Sequence, residues 1–149
     1  MKDEDMEEFD EGERMEGGIH TAAELWCTDP AAAKQQYGPI ASWDTSEITN
    51  MAWLFEDWAN FNGDISRWDV SSVLDMGAML RDVTSFNRDL SQWDVSKVTH
   101  MAGMLHGATS FTHQLGGAWS TSTAAKHRMF QNCPGSIAGK TNDADGTPE

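Results

Sequence analysis

The chain has 149 residues and a formal net charge of −14, enough length for one domain with a modest core. That acidity argues against nucleic acid, whose phosphates need a basic footprint, and equally against anionic membrane surfaces. No run of about 18 apolar residues is present, so no membrane insertion is expected; the opening Met-Lys-Asp-Glu-Asp lacks the apolar region of a signal peptide, which by default places the chain in the cytoplasm.

Residues 1–16 hold nine acids against Lys2 and Arg14, half of the net charge. Such a segment buries too little apolar surface to offset its ordering entropy, so residues 1–17 are expected to be a disordered acidic tail. A helical N-terminal cap is expected over 18–38. Ile19, Ala22, Ala23 and Trp26 share one helical face, Asp29-Pro30 reads as an N-cap followed by proline at the first helical position, and Gly38 suits the C-cap.

From residue 39 the sequence repeats. Trp43, Trp68 and Trp93 are spaced by 25 residues, and Trp119 follows at 26. Ile40, Ile65 and Leu90 precede each tryptophan by three; Asp44, Asp69 and Asp94 follow it by one, and Ser46, Ser71 and Ser96 by three. Met51, Met76 and Met101, then Phe61, Phe86 and Phe111, keep the same phase. Units are therefore placed at 39–63, 64–88 and 89–113. Ile65-x-x-Trp68-x-Val70 and Leu90-x-x-Trp93-x-Val95 follow the L-x-x-L-x-L phase of a leucine-rich repeat, in which a short strand points its large residues inward. Ser72 and Asp75 suit a capping box, and Val73, Met76, Met79 and Leu80 keep helical spacing. The expected fold is an α/β repeat: a short right-handed leucine-rich-repeat-like solenoid, one strand plus one short helix per 25-residue repeat, over residues 39–135. Its last unit, 114–135, lacks the Asp-x-Ser signature and is read as a degenerate closing repeat. Residues 136–149, rich in Gly, Thr and Asp, are expected to be a flexible tail.

The segments FNGDISRWDVSSVLDMGAML and FNRDLSQWDVSKVTHMAGMLHGATSF resemble repeats of the BspA-like leucine-rich-repeat surface proteins of bacteria, including mycoplasma lipoproteins, and of microalgae and other protists. The lead-in Trp26-Cys27…Asp29-Pro30…Tyr37-Gly38…Ile40-Ala41-Ser42-Trp43 is similar to the segment before the first repeat in algal members. The resemblance implies cell-surface display and binding to other proteins.

Constancy between units points to the unit's own architecture, and variation frees a position for function. Asp44, Asp69 and Asp94 form a carboxylate ladder that could hold Ca²⁺; the serine two residues after each favours instead a turn in which the carboxylate accepts backbone N–H bonds. Asn62 and Asn87 are read as turn residues too. His100, His106 and His113 match Asn50/Asp75, Glu56/Arg81 and Gly63/Arg88 in the other units, which are surface-like slots, so no metal site is expected. Cys27 and Cys133 make neither a metal spacing nor a disulfide framework and are read as free, half-buried thiols. Asn142-Asp143-Ala144-Asp145-Gly146 hints at the start of an EF-hand loop but lacks the closing Glu. No catalytic motif and no cofactor signature is present. The expected function is a non-enzymatic protein-binding module, a monomer, with an outward face of Ser66, Arg67, Asp69, Ser71 and Ser72, then Ser91, Gln92, Asp94, Ser96 and Lys97. Arg67/Gln92 and Ser72/Lys97 differ between units and are the candidates for specificity. The rival is a structural protein whose repeated polar ladders bind a polysaccharide or a regular solid.

Overall fold

Asp29 separates the first two helices of the computed structural model, which describes residues 11–149 and side chains from Gly18 onward. Helix α1 spans Glu11–Thr28 and α2 spans Pro30–Tyr37. The Asp29 carboxylate accepts the Ala32 N–H at 3.1 Å, and Gly38, at φ 83°, lets its N–H return to the Lys34 carbonyl. Residues 1–10 of the expected acidic tail lie outside the described residues, and α1 begins at Glu11. A single 3₁₀ turn, Ile40–Ser42, leads into the repeats. Beyond them come β1 (Gln114–Leu115), α3 (Ala118–Thr121) and β2 (Ser136–Ile137), with β1 and β2 paired in parallel.

The expected strand-plus-helix solenoid is not what the structure shows. Among the described residues the only strands are β1 and β2, two residues each, and no helix lies in residues 43–113. The segment read as a strand is a pair of turns: Trp68 N–H donates to Ile65 O at 3.1 Å and Val73 N–H to Val70 O at 3.0 Å. The segment read as a helix fails for a different reason. Ala78 and Asp82 sit at φ 54° and 61°, and a left-handed residue every fourth position breaks a right-handed helix. The capping box is absent as well. Ser72 Oγ donates to Ser46 O in the preceding unit at 2.8 Å, and Asp75 accepts from Gly77 N–H at 2.9 Å.

Backbone bonding within those segments alternates. The N–H groups of Met76, Ala78, Leu80 and Asp82 donate to the carbonyls of His100, Ala102, Met104 and His106 at 2.7–3.0 Å, while those of Met79, Arg81 and Val83 turn back to Met76, Ala78 and Leu80 at 3.2 Å. The same pattern joins Met51, Trp53, Phe55 and Asp57 to Asp75, Gly77, Met79 and Arg81. Every donor is thus satisfied without an α-helical ladder. The 25-residue period survives as this contact in register between neighbouring units.

The side chains inside follow the period. The rings of Phe61 and Phe86, and of Phe86 and Phe111, lie parallel at 6.0 and 6.2 Å. Trp43 stacks on Trp68 at 6.0 Å and Trp93 on Trp119 at 6.4 Å. The indole N–H groups of Trp68, Trp93 and Trp119 find a carbonyl about one unit back, at Ile40, Ile65 and Leu90, while that of Trp43 reaches Gly38. Ile48, Val73, Met51, Met76, Met101, Met79, Met104, Leu80 and Leu105 fill the rest of this core.

Both ends of the layered region are covered. Ile19, Ala22 and Ala23 of α1 are buried against the first unit, and His20 Nε2 donates to Ala52 O at 2.8 Å. At the other end, residues 136–149 are not a loose tail. Ala138 N–H bonds to Leu115 O, Phe130 N–H to Gly146 O at 2.9 Å, and Arg128 N–H to Thr147 Oγ1 at 2.8 Å. Gly146 is buried, and a side chain there would strike the backbone of Gln131. These contacts cap donors that would otherwise be left at an open edge.

Candidate functional site

The predicted face is a double row of Asp–Ser turns. Oδ1 of Asp44, Asp69 and Asp94 accepts the backbone N–H of Ser46, Ser71 and Ser96 at 3.0–3.1 Å. A second row lies on Asp64 and Asp89, which accept from the N–H of Ser66 and Ser91 at 3.1 and 3.0 Å. The Asp-x-Ser spacing at 64 and 89 was available in the sequence, but reading Ile65 and Leu90 as strand starts hid it. The hydroxyls of Ser46, Ser66 and Ser71 add bonds of 2.6–2.7 Å to the same oxygens. Serine hydrogen bonds hold all five carboxyls below the usual carboxylate range.

This sorts the predicted residues. Ser66, Asp69, Ser71, Asp94 and Ser96 build turns, and Ser72 ties its unit to Ser46. Ser91 closes the Asp89 turn. Arg67, Gln92 and Lys97 are exposed; Arg67 lies close enough to Asp64, and Lys97 to Asp94, to favour the ionised carboxylates. Asn62 and Asn87 differ from the expected local turns. Oδ1 of Asn62 accepts Asn87 N–H at 2.9 Å and Oδ1 of Asn87 accepts Thr112 N–H at 3.1 Å, so they bridge units.

Sequence reasoning missed Trp53. Its side chain is 60% exposed, the most open large apolar residue described, with Leu74 next at 47%. Its backbone is left-handed at φ 60°, as are the equivalent Ala78, Gly103 and Arg128. Glycine at 103 was the one available signal that this column demands a positive φ.

No three His, Cys, Asp or Glu side chains converge on a possible metal position among the described residues. His113 instead reaches Asn87 O at 3.1 Å, and His106 Nδ1 lies 3.9 Å from Asp82. Cys27 and Cys133 are unpaired and half-buried, and burial pushes both thiols up to about 11. Asp143 accepts the N–H groups of Asp145 and Thr147, which folds the Asn142–Gly146 segment into a turn. No described helix is long and apolar enough to cross a membrane.

No curated protein and no solved structure matches the chain significantly. A family model described as "Mycoplasma protein of unknown function, DUF285" matches residues 28–141, which takes in α2, every unit and β2. The chain belongs to the DUF285 family.

Proposed function

We propose that the chain is a non-enzymatic module that binds another protein. Trp53 carries this reading. Left-handed backbone costs a non-glycine residue about 1–2 kcal/mol, and an indole 60% exposed recovers little of that by burial. The equivalent residues are Ala78, Gly103 and Arg128, so the unit's architecture has no need of an indole. A strained, exposed tryptophan is costly for the free protein and well suited to anchoring a partner. Arg67, Gln92 and Lys97, exposed and different from unit to unit, are the proposed selectivity contacts, held in place by the Ser66, Asp69, Ser72 and Asp94 bonds. The BspA-like resemblance supports display at a cell surface. The rival reading, repeated polar ladders on a polysaccharide or a solid, draws on the Asp–Ser rows, but it leaves Trp53 without a role.

Affinity capture with the wild-type chain, identification of the captured protein and titration of that purified partner test the reading. Trp53→Gly should weaken the partner by roughly 30-fold, the about 2 kcal/mol of an interface hot spot, and leave the melting temperature unchanged or higher. Equal binding by both chains contradicts the proposal.

A further inference from the structure

A groove of about 370 Å³ opens where the helical cap meets the first unit, lined by Trp26, Cys27, Pro30, Trp58, Ala59, Asn60, Phe61, Asn62 and Gly63. Its size falls in the range of small-ligand pockets, about 300–1,000 Å³. Among the described residues, none that lines it is charged, in a chain of net charge −14. Cys27 adds no charge either, because burial keeps its thiol protonated.

The groove exists because the first unit departs from its neighbours at two positions. Gly63 corresponds to Arg88 and His113, whose side chains fold back onto the carbonyls of Asn62 and Asn87 at 2.9 and 3.1 Å. His113 also lies edge-on to Phe111, at 5.4 Å. Gly63 has no side chain to do this, and the Phe61 ring lies 2.7 Å from where its Cβ would stand, so no such arm folds over this end of the column. Trp58 corresponds to Val83, Ala108 and Cys133; Val83 and Ala108 are fully buried, whereas Trp58 is half-buried and packs only partly against the core. A bulky indole beside an absent lid serves the groove rather than the repeat.

We propose that this groove binds a neutral pyranose unit of a carbohydrate. The C–H face of a sugar ring carries the weak positive charge that the π face of an indole attracts, and Trp58 and Trp26 line the groove as half-exposed indoles. Sugar hydroxyls require groups that both donate and accept, which side-chain amides provide. Asn60 is exposed, and Asn62, whose Oδ1 is taken by Asn87 N–H, keeps its amide donors. No described lining residue offers a charge to a phosphorylated, sulfated or acidic sugar, and the nearby Arg88 guanidinium is engaged on the Asn62 carbonyl. The site is separate from Trp53 and does not rest on the protein-binding reading.

Calorimetric titration of the full chain with cellotetraose, xylotetraose, chitotetraose and mannotetraose tests the proposal, each at about 10 mM so that even a Kd of about 1 mM is populated. Decaproline is the peptide control. At least one tetraose should bind saturably. Trp58→Val, which installs the residue of the second unit, and Asn60→Ala, on an exposed side chain, should each weaken it by about tenfold or more, with Trp53→Gly binding as wild type. No heat from any tetraose, or binding unchanged in both groove variants, overturns the proposal. So does decaproline binding that Trp58→Val abolishes, which would make the groove a peptide site.

Discussion

The indole N–H of Trp93 donates to the backbone carbonyl of Ile65, 28 residues earlier, at 3.0 Å. One side chain therefore fills the core of its own unit and adds a second hydrogen bond to a buried carbonyl of the one before. Truncating a large core residue costs about 3–5 kcal/mol, against a total of about 5–15 for a domain, although the Ile65 carbonyl would keep its bond from the Trp68 N–H. Trp93→Ala and Trp68→Ala should unfold the chain or nearly so in chemical denaturation. Trp93→Phe should cost less, chiefly the lost bond. Arg67→Ala and Gln92→Ala should cost under about 0.5 kcal/mol. Full stability of Trp93→Ala would contradict this packing.

Gly107 sits at φ 77°, and a Cβ there would strike the Asp82 carboxylate and lie 3.3 Å from the Asp82 Cα. The other units carry Asp57, Asp82 and Asn132 at this place, so here the space, more than the φ, excludes a side chain. Gly107→Ala should cost roughly 1–3 kcal/mol. Adding Asp82→Ala should recover part of that, measured as a non-additive double-mutant cycle. Strict additivity would show that the two positions do not meet.

Gly146 meets the backbone of Gln131 and Phe130 rather than a side chain that could move aside. Gly146→Ala should release the C-terminal closure. Amide exchange at Phe130 and Arg128 should accelerate and the melting temperature should fall, while exchange at Met51 and Trp53, bonded to the second unit, stays slow. Unchanged exchange at Phe130 would contradict the capping role.

Asp44, Asp64, Asp69, Asp89 and Asp94 are all held low by their serines. A carboxyl whose folded value lies below its unfolded one stabilises the fold above the unfolded value, about 3.9, and that stabilisation is lost as pH falls through the lower folded value. The groups are exposed, so each contribution is small. Stability from this source should be level above about pH 5 and decline below about pH 4. Ser71→Ala should return the Asp69 carboxyl toward its ordinary range in a carbon-detected NMR titration; an unmoved midpoint contradicts the assignment.

Much of the packing was legible in the sequence, because Trp, Met and Phe recur at one period and only a buried column needs that. The local backbone was not. Val73, Met76, Met79 and Leu80 satisfy helical spacing, yet apolar residues three and four apart suit a chain of turns as well, and what decides between them is the sign of φ at Ala78 and Asp82. Ala78 does not announce a left-handed conformation, though Gly103 in its column does; Asp82 belongs to a column of Asp57, Gly107 and Asn132, residue types that favour positive φ. Of the candidate face, the Asp–Ser turn chemistry could be read from spacing alone. Trp53 was marked by falling outside the 25-residue tryptophan period, with Ala78, Gly103 and Arg128 at its sister positions, but its exposure needed the structure. Gly63 gains its meaning only once Arg88 and His113 are seen folding over their neighbours.

The hydrogen bonds between units are the centre of this account, and scalar couplings across them can be measured directly by NMR. The amide nitrogens of Met76, Ala78, Leu80 and Asp82 should couple to the carbonyl carbons of His100, Ala102, Met104 and His106, in agreement with the 2.7–3.0 Å distances. A coupling from the Leu80 amide to the Met76 carbonyl, four residues earlier as in an α-helix, with none to Met104, would contradict it.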